Sequence, residues 1–435
     1  MKAYRKLLPV DVRLRELLAW AMYDFANSGY TTVVLTAVFN AYFVAIVAGN
    51  AVWATLAWTG ALSLSYFLIV LTAPFVGAYA DLHAAKKKLL AASTIGCVLF
   101  TSLLYFAGPG ALFYAAFCLV ASNFFFGTGE NLIAAFLPEI STVRARGRVS
   151  GWGWGLGYLG GLFTLGLCLL YLSWAEARGH PAASFVPVTM LITAAVFTLA
   201  SLPTFILLRE RAAPSPTRDV SPAGAWLKVW HTLKGLRYFP DLRRFLLCCL
   251  AYQAGVVAVV TLTAVYAQQA LKFTTREILV LLLAVNITAA IGAALFGHLQ
   301  DRLGHIRAIA LALAGWILAI FLAWEARGPG MFWAAANIAG LCLGGSQSAG
   351  RALVGILAPP SRTAEFFGFW GLAMKLASIV GPLSYGLATW LSGGDHRSAI
   401  LLIGGFFVLG LVLLPGVRVL RGRKAALRWE RFRTG

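Results

Sequence analysis

The sequence predicts an all-α polytopic membrane protein with twelve transmembrane helices arranged as two pseudo-symmetric six-helix bundles. Three observations carry that prediction. The 435 residues are 60% hydrophobic and 12% charged, with a mean hydropathy of +0.78, whereas an ordinary soluble domain carries about 25% charged residues. Apolar runs long enough to cross a bilayer, about 20 residues each, fall into two sets of six with a polar stretch between them. Landmarks in the first set recur in the second at an offset near 220 residues, as expected of a duplicated six-helix unit.

In chain order the first six runs lie near 17–48, 52–80, 89–107, 111–137, 150–172 and 186–208, and the second six near 245–270, 276–299, 306–325, 331–357, 366–391 and 398–417. This divides the chain into an N-terminal bundle (1–208), a linker (209–244) and a C-terminal bundle with a basic tail (245–435). The start, MKAYRKLLPVDVRLRELLAW, is basic but runs into the first span without a small-residue cleavage site, so no removed signal peptide is expected. Within the linker, WLKVWHTLKGLRYF spaces apolar and basic residues as a helix lying on a membrane surface would. Six cysteines all sit in apolar runs without CxxC spacing, and six histidines are scattered over loops and helix ends, so neither a disulfide framework nor a metal site is expected.

The net charge of +20 invites a nucleic-acid reading, but its distribution argues otherwise. With the N-terminus placed in the cytoplasm, 29 of the 36 cations fall on the cytoplasmic side and 5 on the other, leaving Arg351 and Lys375 inside spans. Such asymmetry is topology, with both termini and the linker inside, together with attraction to anionic lipid.

Ionisable groups within the spans point to function. The stretch Asn123 to Gly161 puts Glu130 and Asn131 in a run of Phe, Leu, Ile and Ala, where a charge costs several kcal/mol unless it faces a partner or a water-filled cavity. Gly77 to Asp81 recurs as Gly297 to Asp301, Glu130 to Pro138 aligns with Arg351 to Pro359, and Trp154-Gly155-Leu156 with Trp370-Gly371-Leu372. A pseudo-twofold along the membrane normal therefore puts Glu130 and Arg351 at equivalent depths, roughly 12 Å from the helix ends. We expect these two to form an ion pair or substrate clamp.

With its two sixes of helices, its central linker and the Gly297-x-x-x-Asp301-Arg302-x-Gly304 motif, the chain resembles the major facilitator superfamily. Within it, the chain resembles the vacuole-effluxer branch, named after a fungal vacuolar amino-acid exporter linked to autophagy. The narrower likeness rests on Ala19-Trp20-Ala21-Met22-Tyr23-Asp24-Phe25-Ala26-Asn27-Ser28, on Leu137-Pro138-Glu139-Ile140, and on the segment Gly151 to Tyr158. In the second half it rests on Gly344-Gly345-Ser346-Gln347 followed by Arg351, and on Ala364-Glu365-Phe366-Phe367-Gly368-Phe369 with Lys375. The first half departs from the superfamily motif: after Asp81 it reads Leu-His-Ala-Ala-Lys86, without the arginine and glycine.

The resemblance implies that helices 1, 4, 7 and 10 line a central path, with Asp24, Glu130 and Arg351 on three of them. Asp24 is a candidate for proton exchange, because burial disfavours the charged form of a carboxylate. Lys375 is expected to bind a substrate carboxylate or neutralise Glu130. Asn27, Asn131, Tyr158 and Gln347 could hydrogen-bond a zwitterion, although amides also join helices in lipid. Asp81 and Asp301, with Arg148 and Arg302, read as gate residues at the cytoplasmic helix ends, where an aspartate can meet an arginine or a helix N-terminus. Trp152 and Trp154 read as packing or interfacial anchors.

The sequence has no catalytic cluster for a membrane enzyme and no G-x-x-x-x-G-K-[ST] loop for nucleotide-driven pumping. What fits is a secondary carrier, monomeric and without cofactor, moving a small polar or zwitterionic solute, such as an amino acid, outward across a bacterial inner membrane with protons. The alternatives are a drug or lipid exporter of the same fold and a non-transporting receptor.

Overall fold

A computed structural model describes residues 8–49, 51, 53–211, 238–271, 273, 275–392 and 396–434. These residues form helices and connecting turns, with no strand among them. The N-terminal half comprises α1 (Leu14–Val47), α2 (Ala54–His83), α3 (Lys86–Leu103), α4 (Leu112–Ile140), α5 (Arg146–Ala177) and α6 (Ala182–Leu207). The C-terminal half comprises α7 (Pro240–Leu271), α8 (Thr275–Leu303), α9 (His305–Glu325), α10 (Pro329–Leu357), α11 (Thr363–Leu391) and α12 (His396–Leu413). α13 (Val419–Thr434) follows them.

Eleven helices among the described residues are long and apolar enough to cross a membrane. α10 is the twelfth by length, at 29 residues. Asn337, Ser346, Gln347, Ser348 and Arg351 lower its hydropathy, and this helix is the more buried in protein for it, with every residue from Gly344 to Leu357 buried. That is how polar residues persist in a span: they face neighbouring helices rather than lipid. α1 is regular to Tyr30 and then passes through π-helical turns at Thr31–Ala37 and Phe43–Val47. Prolines inside α2, α6 and α11 are tolerated because neighbouring helices re-satisfy the freed backbone groups.

α7 begins at Pro240, ahead of the apolar run expected from 245, because Asp241 in its first turn is held by Arg421 at 2.7 Å and by the backbone N–H of Arg418 at 2.8 Å. The tail, read only as basic, is helical. The expected surface helix WLKVWHTLKGLRYF lies almost wholly outside the described residues.

The halves meet chiefly along α2 with α11 and α5 with α8. Glycines permit the approach, since a Cβ at Gly77 would strike the carbonyl of Ala364 and one at Gly151 the carbonyl of Ala293. No side chain fits between those backbones, which is the small-residue packing that lipid-embedded helices rely on. The ends of α2, α4, α8 and α10 together with the starts of α3, α5, α7 and α11 make up one end of the bundle, the end to which most of the cations were assigned. It is called the basic face below.

Candidate functional site

Among the described residues, two ion pairs join the halves inside the helical bundle. In the first, Arg351 of α10 reaches Asp24 of α1, with Nη1 donating to Oδ2 at 2.7 Å. Its other nitrogens donate to Ser150 of α5, Nη2 to the carbonyl at 2.9 Å and Nε to the hydroxyl at 3.1 Å. The guanidinium also lies over Trp20 at 4.7 Å and Trp154 at 5.3 Å. Trp20 is fixed in turn by its indole N–H, which donates to the carbonyl of Ile133 at 2.8 Å. Arg351 and Asp24 side chains are 3% and 10% exposed, so a planar cation is enclosed by an acid, a backbone carbonyl, a hydroxyl and two indoles. α5 passes this cluster at Gly153, where a Cβ would meet Asp24, Arg351 and Trp20.

In the second, Lys375 of α11 donates to Glu130 of α4 at 3.2 Å. Its ammonium lies 5.4 Å from the ring of Tyr66 and 5.8 Å from that of Phe126. The Glu130 side chain is 29% exposed against 11% for Lys375.

The expected partnership of Glu130 with Arg351 is therefore corrected: Arg351 meets Asp24, and Glu130 meets Lys375. An equal sequence offset between the halves does not set the direction in which a helix presents its side chains. Arg351 points towards α1 and α5, whereas Glu130 looks across to α11. Of the two roles expected for Lys375, this conformation displays the neutralising one.

The amides divide. Asn27 and Asn131 are buried, and Asn27 Oδ1 and Asn131 Nδ2 have no hydrogen-bond partner among the described residues, like Trp154 Nε1 beside Arg351. Unsatisfied buried polar atoms are uncommon and call for a reason such as a transient ligand. Gln347 instead pairs with Gln253 of α7, whose Nε2 donates to Oε1 at 2.9 Å. Tyr158 is half-buried with its ring 6.0 Å from that of Trp154.

At the basic face each half's aspartate caps a helix of the other half. Asp81 accepts the backbone N–H groups of Ala364 and Glu365 at 3.2 and 2.9 Å, at the start of α11. Asp301 accepts those of Gly147 and Arg148 at 3.0 and 3.1 Å, at the start of α5, and Arg148 Nε at 2.9 Å. A carboxylate is well placed there because helix N-termini carry partial positive charge and unpaired donors. Arg302 does not join: it lies exposed.

Where the first half lacks the expected arginine, the fully buried Lys86 takes its place. It lies 3.4 Å from Asp81, and donates to Glu139 and to Thr363 of the opposite half, each at 2.8 Å. Arg146 reaches across to the carbonyl of Gly355 at 2.6 Å. At the N-terminal end of α1, Arg211 grips Asp11 and also Glu16, the latter at 2.7 Å; its hydrogen bond holds the Asp11 carboxyl, which precedes the helix, below the ordinary carboxylate range.

Several of these residues escaped sequence reading. Lys86 falls among the cations that the sequence assigns to topology, Ser150, Tyr66 and Phe126 carry no charge to draw attention, and Trp20 enters only as one residue of the family-like motif. Trp154, adjacent to glycines in a span and expected to pack or to anchor at the interface, lies over Arg351.

A family described as vacuole effluxer Atg22 like matches residues 54–427. The MFS-type transporter YxiO of Bacillus subtilis is 26% identical over 404 residues, covering 92% of this chain and 94% of its own length. Autophagy-related protein 22 of Cryptococcus neoformans is 27% identical over 308 residues, 66% of this chain and 55% of that protein. The chain thus spans about half the length of that fungal relative. Among solved structures, the human organic anion transporter MFSD10 aligns with a TM-score of 0.70 at 17% identity, covering 92% of this chain and 99% of that one. At that identity the likeness establishes the fold, which is that of the major facilitator superfamily.

Proposed function

This chain belongs to the vacuole effluxer Atg22-like family, and on that premise we propose that it is a secondary active transporter exporting a small polar or zwitterionic solute, an amino acid or similar, by alternating access with protons as the coupling ion. Family and fold point to a transporter rather than an enzyme. The observation that carries the reading is the pair of buried ion pairs, Asp24 with Arg351 and Glu130 with Lys375, each contributed half by one bundle and half by the other. Rocking one bundle against the other changes what these charges touch, so solute and proton occupancy can be linked to which side is open.

Glu130 and Lys375 are the pair suited to a zwitterion. A substrate ammonium can replace Lys375 at Glu130 while its carboxylate takes Lys375, and the charge balance of the site is kept. The partly exposed Glu130 is the carboxylate with access to water for proton exchange. Asn27, Asn131 and Tyr158 supply further polar contacts. Asp81 with Lys86, and Asp301 with Arg148, hold the basic face shut, and that face is cytoplasmic by its charge. The chain acts as a monomer in a bacterial inner membrane in this reading.

The test is counterflow in proteoliposomes after a thermal-shift screen of amino acids, peptides and drugs. Exchange of an amino acid that stops in Lys375→Gln supports the proposal. Exchange of an apolar drug alone, indifferent to Glu130 and Lys375, replaces it with a drug exporter. Absence of exchange with any solute that shifts stability replaces it with a receptor.

A further inference from the structure

We propose that the outer face of α13 is a docking surface for the anionic phospholipid headgroups of the leaflet at the basic face. Its inner face is anchored. Gly422 and Ala426 are buried, Trp429 stacks obliquely on Phe239 at 5.6 Å, and Glu430 accepts the N–H and hydroxyl of Ser361 at 2.8 and 2.7 Å. Arg421 forks onto Asp241 with two bonds of 2.7 Å. These contacts hold α13 against the ends of α7 and α10 and the turn before α11, so it cannot roll to hide its other side.

That other side carries Leu420, Lys424, Leu427, Arg428 and Arg431, at the i, i+4, i+7, i+8, i+11 spacing of one helical stripe. Leu420 is 78% exposed and Leu427 43%. Exposed leucines interleaved with cations suit a surface that is apolar at acyl depth and negative at headgroup depth. Free phosphate or nucleic acid would match the cations and leave both leucines in water. Position agrees, since α13 is fastened to the ends of membrane-type helices at the basic face, where Arg418 and Arg421 hold Asp241 at the start of α7. The inference stands independently of which solute is carried.

The experiment places a nitroxide on Leu420→Cys in nanodiscs; the six native cysteines are all buried, so the label is selective. In discs containing phosphatidylglycerol the label is expected to collide with oxygen in preference to a water-soluble nickel chelate. In pure phosphatidylcholine that preference weakens. The triple variant Lys424→Gln, Arg428→Gln, Arg431→Gln should reduce co-purifying phosphatidylglycerol roughly tenfold or more, and Lys424→Gln alone about fivefold, given the worth of one cation near an anionic surface. Arg327→Gln, at the opposite end of the bundle, should leave it unchanged. A water-exposed label in both lipids, or full lipid retention by the triple variant, overturns the proposal.

Discussion

The two ion pairs that bridge the halves are chemically alike and environmentally opposite. Asp24 with Arg351 is sealed, its cation hydrogen-bonded at three nitrogens and covered by two indoles. Glu130 with Lys375 is longer, at 3.2 Å, and its acid is the more exposed side chain of the four. The difference teaches a division of labour. A sealed pair cannot lose one member cheaply, because the remaining charge has no water to turn to; a part-exposed pair can exchange its partner for water, a proton or a solute. The first suits holding the halves in register, the second suits handling cargo.

Removing the sealed cation should cost most. Arg351→Met leaves Asp24 buried and unpaired, a loss of about 3–5 kcal/mol, read as a large drop in detergent melting temperature with loss of transport. Arg351→Lys is expected not to restore it, since one ammonium cannot reach Asp24 and both Ser150 oxygens together. Equal stability of Arg351→Met and wild type would erase the distinction between the pairs.

Next in size is Gly153→Ala. Its methyl group would enter the space held by Asp24, Arg351 and Trp20, and overpacking of this kind costs about 1–3 kcal/mol. Gly166→Ala on the same helix, where a Cβ meets nothing within 4 Å, is the control and should melt with the wild type.

Glu130→Gln should lower stability less than Arg351→Met, because the amide oxygen can still accept from the buried Lys375, yet abolish the pH dependence of exchange in liposomes. The reversal Glu130→Lys with Lys375→Glu should recover part of what each single change loses, whereas Glu130→Arg with Arg351→Glu should recover nothing. The opposite outcome would return Glu130 to Arg351. The smallest effect is expected from Asp11→Asn, whose side chain is 64% exposed beside Arg211; melting should be unchanged within error, as for most surface pairs.

Legibility followed the same line. Span count, the duplication and the exposed basic face could all be read from composition and spacing, because lipid imposes a one-dimensional rule on how long an apolar run must be. Asp24, Glu130, Arg351 and Lys375 stood out because charge in a span is costly wherever it points. Asp81 and Asp301 could be read as caps because they end helices. Lys86, Ser150, Trp20 and Tyr66 could not, since nothing in their type or spacing separates a gate or a cage from topology and packing.

The sequence by itself determined which segments are long and apolar enough to cross a membrane, and that the chain is built twice. The tertiary structure alone decided that Arg351 belongs to Asp24 and Glu130 to Lys375, that a lysine replaces the missing gate arginine, and that the tail folds back as a helix. The reason is geometric: hydrophobic length and periodicity specify position along a helix, but which side chains meet depends on the rotation of each helix about its axis, and that is settled only when all twelve are packed together.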